Sequence, residues 1–153
     1  MKCGRILETM AAGVVMLGFT ASMAFASADD AIKGRQMCMK AHGASMGVMV
    51  PMIKGEKPYD NAAIQAILTA EEAACADWAK WWGADTQKGE TLETFAKPEI
   101  WTDTAGWEAA GGAWYTAYQA VKASADEGAF KAAFPALGAS CQGCHEKFRR
   151  PKG

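Results

Sequence analysis

Near its C-terminus the chain reads Cys141-Gln142-Gly143-Cys144-His145, and no other stretch limits the fold as much. Two thiols and an imidazole packed this tightly hold something, and the rest of the chain must fold around it. A structural zinc site needs a second ligand pair at its own short spacing, and only His42 and isolated cysteines remain. A thioredoxin-like C-x-x-C sits beside a βαβ pattern, which this sequence lacks. An ordinary disulfide would make the histidine incidental. C-x-x-C-H is the attachment signature of a c-type haem. Each thiol adds across one vinyl group of the porphyrin edge, and the histidine after the second cysteine is delivered to the iron as a strong axial ligand. The stretch therefore predicts one covalent haem c, tethered by Cys141 and Cys144, with His145 on the metal.

Haem of this kind is attached after export, and the N-terminus fits export. "MKCGR" is a short positive region, an apolar run of small and aliphatic residues follows, and Ala24-Phe25-Ala26 leads into Ser27-Ala28-Asp29. That order predicts a signal peptide over residues 1–28, cut after Ala26 or Ala28, and a periplasmic domain over 29–153. The alternative is a membrane anchor, for which the run is near the lower length limit. Losing Lys2, Arg5 and Glu8 from the chain's 16 basic and 17 acidic residues leaves 14 against 16. With no basic block, nucleic-acid binding has no electrostatic support.

The mature part reads as all-α. Alanine is abundant, β-branched residues are sparse, and no alternating pattern appears. A first helix is predicted from about Asp29 to Lys54, with Ile32, Gln36, Met39, Met46 and Met49 along one stripe and Pro51 weakening its last turn. Asp60 caps a second helix over about Asn61 to Trp82, its inward face using Ile64, Ile67, Leu68, Cys75, Trp78 and Trp82. "GADTQKGETLETFAK" is a loop. Pro98 opens a third helix to about Ser124, and a fourth runs from about Asp126 to Arg149, bent at Pro135. Four helices with mostly short connections predict an antiparallel up-down-up-down bundle. Six tryptophans either fill the core or wall a planar ligand, and composition does not choose.

Several segments resemble the cytochrome c-prime family, the class II c-type cytochromes. They are "RQ…MKAHGASMG", "KGEKPYD", "KPEIW" and "AAFPALGASCQGCHEKFR". The resemblance implies a four-helix bundle with covalently bound haem. It implies that His145 is the proximal ligand and Arg149 the basic residue beside it. Arg35 matches a first-helix arginine near a haem propionate, and Trp101 matches an aromatic near the haem edge. Without the resemblance, Arg149 would read equally well as a surface arginine at a helix end.

The family divides at one first-helix position, which here is Met39. A bulky apolar residue leaves the iron open to small gases, whereas a methionine closes the sixth position. A thioether favours ferrous iron, and a Met/His pair suits electron transfer. Met39 could instead only pack, as methionines often do, and His42, three residues on, is a rival ligand. The leading expectation is an electron carrier with His145 and Met39 as axial ligands and unidentified redox partner proteins. The alternative is a five-coordinate protein binding nitric oxide or carbon monoxide. No enzyme is expected, since no distal polar pair suited to a peroxidase is visible. The resemblance leaves a homodimer through the first two helices open.

Cys38 and Cys75 remain. In a hairpin turning near Lys57 they are nearly equidistant from the turn and lie at the same height. Packed helices sit ~8–10 Å apart and a disulfide needs Cα atoms within ~7 Å, which small neighbours such as Ala41 and Ala74 permit. A bridge is expected beside Met39; the alternative is two buried thiols.

Overall fold

The computed structural model describes residues 27–151. The predicted signal peptide falls almost wholly outside them. Among the described residues there are five α-helices: α1 (Ala28–Ile53), α2 (Asn61–Ala74), a short α3 (Glu99–Thr102), α4 (Thr104–Lys122) and α5 (Glu127–Phe148). The four long ones make the bundle. α1 packs on α2, α4 on α5, and α2 joins the two hairpins through α4.

Local chemistry sets the ends. Ser27 and Asp30 form a capping box: the Ser27 hydroxyl accepts from the Asp30 N–H, and the Asp30 carboxylate accepts from the Ser27 N–H. α1 runs past Pro51 and stops at Lys54. Gly55 then takes φ +72° and donates to the Met52 carbonyl, a backbone turn that a side chain would strain. Asp60 and Asp126 cap α2 and α5 by accepting the N–H groups of Ala63 and Ala129.

Two predicted helices are shorter than expected. The second does not reach Trp82: α2 ends at Ala74, and single 3₁₀ turns follow at Trp78–Trp81 and Ala84–Thr86. Three indoles crowd this segment and pack to different sides. Trp81 lies against α1 where Gly34 leaves room, since a Cβ there would collide with its ring. Trp78 and Trp82 turn instead to Trp107, with Trp82 at 4.7 Å between ring centroids. The expected third helix is broken at Asp103, whose carboxylate accepts from Gly106 N–H and starts α4 afresh.

The main core fills the end nearest the two hairpin turns. Met49, Met52, Ile64, Leu68, Ala117, Tyr118, Val121, Phe130, Phe134 and Leu137 form one buried cluster. Of the stripe expected on α1, Ile32 and Met49 are buried, but Gln36 is exposed and its amide donates to the Glu93 carbonyl. At the other end the long loop is tied down at both sides. Asp29 accepts the N–H groups of Glu90 and Thr91, and a hydrogen bond from the Thr91 hydroxyl holds its carboxyl below the ordinary range. Lys97 N–H donates to the Phe148 carbonyl and Arg150 N–H to the Phe95 carbonyl, which fixes the loop against the end of α5.

Candidate haem site

The C-x-x-C-H stretch lies on the last two turns of α5. Cys141, Cys144 and His145 are at positions i, i+3 and i+4, so they share one face of the helix. All three are half-buried. Neither thiol is bridged, and burial pushes both above the ordinary thiol range. Burial also lowers the pKa of His145, helped by the charges of Arg149 and His42. The imidazole is therefore held in the neutral form that a metal requires. Arg149 itself is exposed, just past the helix, and its N–H donates to the His145 carbonyl.

The facing wall is α1. Arg35, Met39 and His42 follow each other at helical spacing along one face. Arg35 is 5 % exposed. One of its terminal nitrogens donates to the Thr86 carbonyl at 2.6 Å, and its guanidinium stacks 4.7 Å from the Trp82 ring. Its other two nitrogens, Nε and Nη1, are buried without a partner among the described residues, as is the Trp82 indole nitrogen. Burial pushes the Arg35 pKa down to about 10. Buried cations are rarely left unpaired, so this arrangement fits an anionic group arriving beside them, such as a haem propionate. Met39 is 38 % exposed, between the buried Arg35 and the half-buried His42 on the same face.

The structure brings Trp101 close to Arg35. Its ring lies 5.7 Å from the guanidinium, and its indole N–H donates to the Trp82 and Gly83 carbonyls, pinning the loop. Trp78, Trp82, Trp101, Trp107 and Phe148 form a continuous aromatic cluster. These rings pack chiefly on one another, with Arg35 at their edge.

Between α1 and α5 a cleft is lined by His42, Ser45, Met46, Met49, Glu71, Trp114, Leu137 and Cys141. Among the members that sequence reasoning did not name is Glu71. It is 3 % exposed and its carboxylate accepts from Nδ1 of His42 at 2.7 Å. The signal was available, since Glu71 shares the apolar stripe of Ile64 and Leu68 on α2. The other His42 nitrogen, Nε2, lies 3.5 Å from Cys38 Sγ, and the ring stands edge-on to Trp114. Cys38 and Cys75 have Cα atoms 4.9 Å apart and Sγ atoms at bonding distance, joining α1 to the end of α2. Both nitrogens of His42 thus face partners within the chain.

Comparison with known proteins places this geometry. A family model described as Cytochrome C' matches residues 30–149. A cytochrome c' of Alcaligenes xylosoxydans is 35 % identical over 132 residues, covering 84 % of this chain and 99 % of that protein. A cytochrome c-556 of Rhodopseudomonas palustris is 33 % identical, covering 93 % and 95 %. Among solved structures, cytochrome c' from Rubrivivax gelatinosus superposes with a TM-score of 0.73 at 28 % identity, covering 82 % and 99 %. A ferrous variant of the Alcaligenes xylosoxidans protein with bound NO gives 0.71 at 32 % identity, covering 84 % and 99 %.

Proposed function

The chain belongs to the cytochrome c' family of c-type haem proteins, and from that premise we propose that it is an exported electron carrier whose haem is held between His145 and Met39. When bound, the haem supplies a one-electron redox centre. Cys141 and Cys144 would tether it through thioethers, and His145, whose pKa burial lowers, would ligate the iron. Arg35 and the Trp82 N–H supply donors for a propionate. The position of Met39 carries the reading: a flexible, polarizable thioether, 38 % exposed, on the α1 face shared with Arg35 and His42. Such a ligand stabilises the ferrous state and keeps coordination unchanged through a redox cycle, which suits rapid electron transfer. His42 is the weaker candidate because Glu71 and Cys38 hold its nitrogens. The Cys38–Cys75 bridge is part of the proposal, fixing the turn of α1 that presents Met39.

A second reading has a specific observation behind it. A solved relative of 32 % identity is described with bound NO. On that reading Met39 packs beside the iron and leaves a position for a small gas. Absorption spectra of the oxidised and reduced protein, before and after carbon monoxide, separate the two. A low-spin spectrum unmoved by the gas is expected. A high-spin spectrum that shifts on adding it would make gas binding the function.

A further inference from the structure

One side-chain cluster supplies no proposed ligand to the haem. The sulfurs of Cys38 and Cys75 and a ring nitrogen of His42 all lie within 4.8 Å of one another. Nδ1 of His42 is committed to Glu71, so the nitrogen turned toward the sulfurs is Nε2, the atom beside Cys38 Sγ. A tetrahedral zinc ion, with Zn–S ~2.3 Å and Zn–N ~2.0 Å, needs donor atoms roughly 3.3–3.8 Å apart. Small side-chain rotations reach that spacing. Cys75 sits at the cap of α2 and is half-buried, so one side of the cluster opens to solvent.

We infer that reduction of the Cys38–Cys75 bridge turns this corner into a binding site for a thiophilic divalent cation, with Zn²⁺ as the probe ion. The inference rests on the bridge being formed in the exported protein. A dithiol reductant attacks one sulfur, the S–S bond breaks, and two electrons pass to the bridge. The dithiol leaves as its own disulfide, and its two protons end on Cys38 and Cys75. Metal binding then releases those protons. Two thiolates and His42 Nε2 supply three ligands, and water takes the fourth position. Glu71 completes the arrangement, since a carboxylate on the far nitrogen of a ligating histidine fixes its tautomer and strengthens it as a donor. This also accounts for a carboxylate buried on an apolar helix face, a costly placement without a task.

The test uses the untagged, haem-loaded protein, where Cys141 and Cys144 are already thioethers. The bridge is reduced with a water-soluble phosphine, which takes up the oxygen of one water as it delivers the electrons. Thiols are counted by alkylation, and bound zinc is measured after desalting without oxygen. The expected result is no thiol and no zinc before reduction, then two thiols and one zinc per chain. Glu71→Gln should weaken zinc binding about 10–100-fold, and Cys75→Ser should abolish stoichiometric binding. Two thiols without zinc, zinc bound equally before reduction, or unchanged affinity in both variants would overturn the site. Four thiols would instead show that the haem attachment had failed, which keeps the two readings distinguishable.

Discussion

The two ends of this bundle are stabilised in different ways. At the turn end, Phe130, Leu68, Ile64 and Val121 are almost wholly buried and satisfy one another. At the other end, Arg35 and Trp82 bury polar atoms that nothing among the described residues pairs, two thiols and an imidazole share a face, and a methionine stands exposed. The first end is an apolar core, although the Tyr59 hydroxyl is buried there without a partner among the described residues. The second is built for a group that brings both apolar surface and negative charge. The contrast shows where sequence was free to optimise packing and where it was constrained by a ligand.

The sharpest way to break the comparison is to deny the second end its ligand. Replacing Cys141 and Cys144 with alanine should abolish covalent haem. Amide exchange near Arg35, Trp82 and His145 should then accelerate by orders of magnitude while protection around Leu68 and Val121 persists. Uniform loss of protection would mean the two ends are one cooperative unit. Next in size, Phe130→Ala removes a ring packed against Tyr59 and Phe134 and should cost about 3–5 kcal/mol by denaturant unfolding.

Arg35→Gln probes the ligand end more gently. With haem bound it should lower stability by about 1.5–3 kcal/mol, the worth of hydrogen bonds to a charged group. In the chain lacking the attachment cysteines the same change should be neutral or stabilising, because there the buried guanidinium lacks partners for two of its nitrogens. The smallest effect belongs to a cap far from the haem. Asp126→Ala leaves the Ala129 N–H without its acceptor and should cost about 1 kcal/mol, with no change in the haem spectrum.

The same contrast explains what could be read in advance. The all-α bundle and the first and last helices followed from helix-forming composition, capping residues and apolar spacing. The proposed haem-attachment residues rest on a motif whose chemistry dictates its spacing. Expectation failed where long-range packing overrode local pattern. Trp78, Trp81 and Trp82 read as one helical stretch, but their rings pack to α1 and to Trp107, and the helix gives way. Asp103 was hidden inside a run that read as helix, and only its hydrogen bond to Gly106 shows it as a cap. Glu71 was passed over because a carboxylate on an apolar stripe makes sense only once its partner His42, 29 positions away, is known.

The central claim is that Met39 closes the sixth position. The most direct measurement is the methionine–iron charge-transfer band of the oxidised protein, compared between the natural chain and Met39→Leu. The account predicts the band in the natural protein and its loss in the variant, which should also gain carbon monoxide binding when reduced. A natural protein without the band, or a variant that keeps it, would contradict the account.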